Sequence, residues 1–281
     1  MRLYISGKRS TLKCEISLIK EVDRLCDEIK SKEKKADFVF LSAGYLSFDG
    51  RTESSEGIDI PNSLRYYSRL RFVYNLLPLL QAASNPRVIS ILAGGQEKAI
   101  DLKDLEVKQN FSMIKAAGSA TTQTTLAFEA LAKSNPGISF IHKYPGFVDT
   151  GVVGRLMSSA TGIYAIPATF FTWVVLPILN LFATSVEEAG ERGLFLATSA
   201  RYPPAEPREG IIPGVELPTG VEIARSSVVG ENGRSNGVYR LGADDESAPD
   251  GNVLPGYRKD NAEQTVWEST VGVWERALER T

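Results

Sequence analysis

The sequence predicts an α/β fold in which a doubly wound parallel sheet carries helices on both faces. Short, mostly apolar runs, typical of strands buried on both faces, occur at residues 36–41, 87–92 and 138–142. Helical patterns separate these runs, and such alternation is typical of a parallel sheet. The turns that follow the runs are Ser42-Ala43-Gly44, Ala93-Gly94-Gly95 and Pro145-Gly146. Because ligands of such sheets bind at the carboxyl ends of the strands, we expect the functional site at these turns.

The composition limits the classes of function. The chain has 281 residues and a net charge of -2, which gives no electrostatic support for nucleic-acid binding. Cys14 and Cys26 form neither a disulfide framework nor a metal-ligand cluster, and this favours a reducing, cytoplasmic setting. His142 is the single histidine, which excludes a multi-histidine metal site, and we predict no bound metal.

The N-terminal part of the chain is predicted to contain strands and one helix. Leu3–Ile5 is a short strand candidate, and the segment Leu12–Ser17 follows a few residues later. A helix from Leu18 to about Ser31 places its apolar residues on one face. Ala36–Leu41 is the first strong strand, and residues 47–62 are polar and contain glycine, which predicts a loop.

Two long helices follow in the middle of the chain. The first is predicted over Ser63–Gln81 and the second over Phe111–Lys133, and the strand Arg87–Leu92 lies between them. Ser134-Asn135-Pro136-Gly137 ends the second helix, because proline cannot continue a helix and glycine accepts a left-handed backbone. Ile138–His142 is the next predicted strand.

The last part of the chain begins with an apolar stretch, residues 156–186, that contains no charged residue. Its length would allow a membrane span, although Pro167 and Pro177 argue against one straight helix. Three interpretations stay open: a lid over a lipophilic ligand, monotopic membrane contact through residues 161–183, and a true span. The elements predicted beyond it are a helix over residues 187–199, an edge strand at Val238–Leu241 and a terminal helix over Ala262–Leu278.

The stretch from Asn110 to Thr150 resembles the short-chain dehydrogenase/reductase family. In that family an active-site helix begins with Tyr-x-x-x-Lys, and a later strand ends in Pro-Gly-x-Val-x-Thr. Lys115 and Pro145 have the family's separation between these motifs. The matching residues of the turn are Pro145, Gly146, Val148 and Thr150. The resemblance runs from Glu15 to about residue 200, is greatest for the fungal branch of specialised metabolism, and implies a Rossmann-like sheet and an NAD(P) cofactor.

Three of the family's catalytic positions are altered in this sequence. Phe111 stands where the family has its tyrosine, Ala93 where it has its serine, and Arg65 where it has the supporting asparagine. A reductase of this type needs a proton donor, a cation and a hydroxyl beside the substrate carbonyl. Lys115 and Ser90 could still supply a cation and a hydroxyl, so they are the catalytic candidates.

The resemblance also supplies the cofactor-binding candidates. Ser42 and Gly44 lie in a turn that resembles the family's Asn-Asn-Ala-Gly. Pro145, Gly146 and Thr150 lie in the turn that lines the family's nicotinamide pocket. Lys8 and Arg9 lie where NADP-preferring relatives carry basic residues. Residues 3–9 resemble the family's second strand, and Leu12–Ser17 resembles its third, which the resemblance therefore predicts to be a strand. The family's first strand, Gly-rich phosphate turn and first helix have no counterpart after Met1. The resemblance therefore implies a sheet that lacks its first βα unit, through truncation or a coding sequence incomplete at its 5′ end.

The sequence leaves three functions open. The first is NAD(P)-linked oxidation or reduction of a lipophilic carbonyl or alcohol in fungal secondary-metabolite biosynthesis. The second is a catalytically disabled relative that binds a ligand or acts as a scaffold, and the third is a redox-independent cyclase or isomerase. The helices at 63–81 and 111–133 resemble those with which the family forms homodimers. We expect a single domain with a core (1–155), a lid (156–186) and a helix and tail (187–281).

Overall fold

The fold is built on a parallel sheet of four strands. The computed structural model describes residues 10–45, 47, 49–148, 183–230 and 233–280. In these residues the strands are β1 (Phe38–Leu41), β2 (Arg87–Ile91), β3 (Ser139–Lys143) and β4 (Val238–Leu241), which are hydrogen-bonded in that order. All three pairings are parallel. The predicted α/β fold with a parallel sheet is confirmed, and so is the predicted edge strand, which is β4.

Helices pack on both faces of the sheet. The helical segments are α1 (Ile19–Lys32), α2 (Ile60–Asn62), a π-helical turn (Ser63–Tyr67), α3 (Ser68–Ala82), α4 (Met113–Ser134), α5 (Val186–Thr198), α6 (Leu254–Lys259) and α7 (Ala262–Glu279). Buried apolar residues of α1, α3, α4 and α7 form the larger core on one face. On the other face, Leu196 of α5 packs on a smaller core with Ile89 and Ile141 of the sheet.

The two helices predicted to form a homodimer also pack inside the chain. α3 packs against α1, where the Arg71 guanidinium donates to the Asp23 carboxylate at 2.6 and 2.7 Å. α4 packs against α7, where Lys133 pairs with Glu263 at 2.5 Å. Dimerisation through these helices stays a prediction.

The segment Leu12–Ser17 leads into α1 through a turn, so the strand predicted there is wrong. The Glu15 carboxylate accepts hydrogen bonds from the N–H and the hydroxyl of Ser17, at 3.2 and 2.7 Å. Glu56 accepts the N–H of Ile19 at 2.6 Å, at the start of α1. These bonds from side chains to backbone stabilise a turn and a helix start in place of a strand ladder.

The long helix α4 begins later than the sequence predicts. Ser112 has an extended backbone, and its hydroxyl accepts the N–H of Lys115 at 3.2 Å, as an N-cap residue does. The helix therefore starts at Met113, and the prediction that Phe111 begins it is wrong.

Some sequence predictions fall on residues outside the described part of the chain. They are the strand at Leu3–Ile5, the cofactor candidates Lys8, Arg9 and Thr150, and the lid and membrane interpretations of residues 156–182. Within the described residues, every helix is too short or too polar to cross a membrane.

Candidate active site

A row of buried polar residues crosses the sheet near its carboxyl end. The strand register places Ser90 of β2 beside His142 of β3, and His142 beside Arg240 of β4. These residues are 1%, 0% and 2% exposed. Polar and charged residues are seldom so deeply buried unless they are paired, and open parallel sheets bind ligands at this end. This polar row (Ser90, His142, Arg240) is therefore the candidate active site.

His142 lies in a chain of hydrogen bonds that leads from the β2 turn to a carboxylate. The N–H of Ala93 donates to His142 Nε2 at 3.2 Å. His142 Nδ1 lies 2.9 Å from Thr125 Oγ1, and that hydroxyl donates to Glu97 Oε1 at 2.7 Å. Because Nε2 accepts a bond and the threonine proton goes to Glu97, Nδ1 carries the proton of a neutral imidazole. His142 is thus a buried histidine with a hydrogen-bond partner at each ring nitrogen.

The row continues into a buried ion pair. Arg240 Nη1 lies 3.0 Å from Glu97 Oε2, with the two side chains 2% and 4% exposed, and Arg240 Nη2 lies 2.6 Å from Asp250 Oδ1. Burial opposes ionisation of Glu97, but His142, Arg240 and the Thr125 hydroxyl outweigh it and hold the pKa of the carboxyl below its usual range. Burial lowers the pKa of His142 to about 4. At neutral pH the site therefore contains a charged Glu97 and a neutral His142.

Ser90, a predicted catalytic residue, is bound by an arginine of α3. Arg69 Nη1 donates to Ser90 Oγ at 2.9 Å and to the Ile91 carbonyl at 2.7 Å, and Arg69 Nη2 donates to the Ala43 carbonyl. Burial, together with the nearby charge of Arg65, lowers the pKa of Arg69 to about 10. The Ser90 oxygen therefore accepts a bond from a cation and keeps its own proton for another acceptor. Its catalytic role stays a prediction.

Two predicted cofactor residues lie close to this arginine. Ser42 is exposed at the end of β1 and, like Arg69, lines a groove beside that strand. A Cβ added to Gly44 would lie 3.6 Å from Arg69 Nη2 and 3.7 Å from Arg65 Cγ. The structure thus places two of the predicted residues, Gly44 and Ser90, beside Arg69, and Ser42 lines the same groove as this arginine.

Pro145 and Gly146 form the turn after β3, as the sequence predicts. Gly146 has φ of +71°, which favours glycine, and a Cβ on it would lie 2.9 Å from the Ala243 Cβ in the loop after β4. Packing against that loop accounts for this glycine. The role of Pro145 and Gly146 in cofactor binding stays a prediction.

A buried lysine precedes this turn on the opposite face of the sheet from the polar row. Lys143 is 3% exposed, lies 2.6 Å from Asp245 Oδ1 and donates to the Gly242 carbonyl. Burial lowers the pKa of Lys143, against the attraction of Asp245. Asp245 also pairs with Arg192 at 3.0 Å, so it connects α5 to the end of β3.

The second predicted catalytic residue lies in a different cleft. Lys115 is exposed on the first turn of α4, and its Nζ lies 3.3 Å from the Asn110 carbonyl. It lines a cleft of about 360 Å³ between α4 and residues 98–110. Within the described residues, no hydrogen bond or ion pair connects Lys115 with Ser90.

The glycines at the carboxyl end test whether the described residues fit a nicotinamide nucleotide, the cofactor that the resemblance implies. A Cβ on Gly94 would lie 1.9 Å from the His142 carbonyl oxygen, and one on Gly95 would lie 2.4 Å from the Ala248 Cβ. Packing inside the protein therefore accounts for both glycines. Gly44 has no described neighbour closer than 3.6 Å to an added Cβ. Of these three glycines, only Gly44 could carry a Cβ without overlapping a neighbour, although its φ of +158° disfavours a side chain, and none of the described residues forms a Gly-rich turn for the pyrophosphate.

Sequence reasoning missed four members of this site: Arg69, Glu97, Thr125 and Arg240. Arg240 carried a signal, because a charged residue inside a predicted strand requires a buried partner. Arg69 and Thr125 lie on helices and Glu97 lies in a loop, where polar residues usually face solvent. Their spacing in the sequence gave no signal.

Substitution of Gly94 by alanine is expected to lower the free energy of unfolding by about 3 kcal/mol, because the new methyl group would overlap the His142 carbonyl. Gly190→Ala is the control. Gly190 lies inside α5 with nothing described within 4 Å of an added Cβ, so alanine there is expected to raise stability by about 0.5–1 kcal/mol. Urea denaturation measures both variants. Equal stability of the two would contradict the close contact at Gly94.

Three fungal proteins are similar to the chain over most of its length. Oxidoreductase AN1596 of Emericella nidulans is 40% identical over 281 residues, which cover 99% of this chain and 80% of the relative. The NmrA-like family domain-containing oxidoreductase notO of an Aspergillus species is 34% identical, covering 97% of this chain and 74% of the relative. The short-chain dehydrogenase/reductase SAT2 of Stachybotrys chartarum is 28% identical, covering 92% and 72%. No protein-family model matches the chain.

Proposed function

Because the chain belongs to the short-chain dehydrogenase/reductase family, within a group of fungal oxidoreductases, we propose that it transfers hydride between a nicotinamide cofactor and a lipophilic carbonyl or alcohol. One observation supports this use of the site. Gly44 and Ser90 lie beside Arg69 at the carboxyl ends of β1 and β2, and Ser42 lines a groove with the same arginine. Ligands of open parallel sheets bind at this end.

The residues of the chain have distinct roles in this proposal. Gly44 and Ser42 border the nicotinamide, which supplies or receives the hydride when it is bound. The Ser90 hydroxyl donates to the substrate oxygen, and Arg69 holds the serine oxygen and provides the cation that stabilises negative charge beside it. In reduction the substrate oxygen takes its proton from water, because Phe111 has no proton to give.

The substrate class in this proposal is lipophilic. Its support is the uncharged sequence of residues 156–186, which follows the Pro145-Gly146 turn, because apolar pockets bind apolar ligands. We also propose that the reaction belongs to fungal secondary metabolism, because the sequence resembles the fungal branch of the family most.

A titration of the protein with NADPH, followed by nicotinamide fluorescence, tests the proposal. We expect a saturable change, and its absence up to millimolar NADPH would contradict a nicotinamide-dependent activity. Gly44→Ala is expected to weaken binding roughly tenfold or more, because φ at Gly44 is +158°, where a side chain is strained, so the turn that borders the nicotinamide in this proposal must shift. Gly50→Ala, at an exposed position with nothing described within 4 Å, is the control and should bind normally.

A second candidate is a protein that binds a lipophilic ligand without redox chemistry. It is favoured by Phe111, which replaces the family's proton donor and lies before α4. Calorimetric binding of a lipophilic ketone without cofactor, combined with no NADPH binding, would support this candidate over the first.

A further inference from the structure

The geometry points to a positioning role for His142. We propose that its imidazole fixes the turn Ala93–Gln96 at the carboxyl end of β2, and that Thr125 and Glu97 fix the imidazole. The turn borders the polar row, so the effect of His142 on a substrate rests on the proposed function. The effect of His142 on the position of the turn does not depend on the proposed function.

Two N–H groups of the turn are held by one closed circuit of hydrogen bonds. The Ala93 N–H donates to His142 Nε2 at 3.2 Å, and the Gly95 N–H donates to Glu97 Oε1 at 3.2 Å. Thr125 closes the circuit, because its oxygen lies 2.9 Å from His142 Nδ1 and its hydroxyl donates to the same Glu97 oxygen at 2.7 Å. A turn tied at both ends in this way has one position relative to β3 and α4.

The circuit is buried and anchored on several elements. His142 and Thr125 are both 0% exposed, and the second oxygen of Glu97 is held by Arg240 of β4 at 3.0 Å. The turn itself is closed by the Gln96 N–H, which donates to the Ala93 carbonyl at 2.9 Å. Strands β3 and β4 and helix α4 therefore hold the turn together, and His142 is the member that reaches the Ala93 N–H.

Two substitutions of His142 separate a positioning role from a packing role. Glutamine places its amide oxygen near the position of Nε2, so His142→Gln keeps an acceptor for the Ala93 N–H. Asparagine places its amide nitrogen near the position of Nδ1, so His142→Asn keeps the donor to Thr125 and loses the acceptor. Both remove the imidazole and its volume.

Amide hydrogen exchange, measured by NMR on the labelled protein, provides the test. We expect the Ala93 amide of His142→Asn to exchange at least roughly tenfold faster than in the wild type, with Ile89 unchanged in the middle of β2, because one buried hydrogen bond is lost. In His142→Gln the Ala93 amide should exchange at about the wild-type rate. Equal rates at Ala93 in the two variants would overturn the proposal.

A second pair of variants keeps the test valid if His142→Asn does not fold. Thr125→Val removes the middle of the circuit while His142 remains, and faster exchange is expected at both Ala93 and Gly95. Thr124→Val is the matched control, because Thr124 is equally buried and its hydroxyl donates to the Ala120 carbonyl within α4. If the two valine variants exchange alike at Ala93, the circuit does not hold the turn. The amide exchange rates test this proposal even if NADPH does not bind. A failure of the positioning role is therefore distinguishable from a failure of the proposed function.

Discussion

Arg240→Met is expected to lower the free energy of unfolding by about 3–5 kcal/mol, because the Glu97 charge would stay buried without its partner. The two side chains are 2% and 4% exposed, and their atoms Nη1 and Oε2 are 3.0 Å apart. Water cannot replace the guanidinium at this depth, and Asp250 would also lose a bond of 2.6 Å. Urea denaturation at pH 7, followed by circular dichroism, measures the change.

The double variant Arg240→Met/Glu97→Gln is the internal control. It is expected to regain much of the lost stability, because neither buried charge remains and glutamine can still accept from the circuit. Arg24→Met is the surface control. It removes a pair with Glu21 in which the side chains are 51% and 32% exposed, and no measurable change is expected. A single Arg240→Met variant as stable as Arg24→Met would contradict the burial of this pair.

The order of helices and strands was predictable because apolar periodicity is a local property of the sequence. The strand at Leu12–Ser17 failed for an equally local reason. The family resemblance implies a strand there, but in this chain Glu15 and Ser17 satisfy the backbone through their own side chains. The predicted start of α4 was wrong for a similar reason. The Ser112 side chain caps the helix and sets its start at Met113, although the apolar pattern continues through Phe111.

The candidate site was predictable only in part. The sequence predicts that Ser90 lies near the carboxyl end of one strand and Gly44 in the turn after another, and for this the strand pattern is sufficient. It could not predict Arg69 or Glu97, because the bond from Arg69 to Ser90 spans 21 residues and that from Arg240 to Glu97 spans 143. Contacts of this range depend on strand order and helix placement, which local periodicity does not determine.

His142 is expected to lower the stability of the protein by about 2 kcal/mol between pH 7 and pH 5. Burial lowers its pKa from 6.5 to about 4, because the attraction of Glu97 is outweighed by burial and by the charges of Arg69 and Arg240. Between these two pKa values the unfolded chain binds a proton that the folded chain does not. The stability present above pH 6.5 is therefore lost progressively as the pH falls towards 4.

His142→Gln isolates this effect, because His142 is the single histidine of the chain. Urea denaturation of both proteins at pH 7 and pH 5 should show a clearly smaller loss in the variant, and equal losses would contradict a neutral buried imidazole. The prediction also bears on the circuit. Only a neutral ring can accept the Ala93 N–H at Nε2 while Nδ1 bonds to Thr125. Protonation of His142 would therefore release the Ala93 N–H, so acid should loosen the turn before it unfolds the sheet.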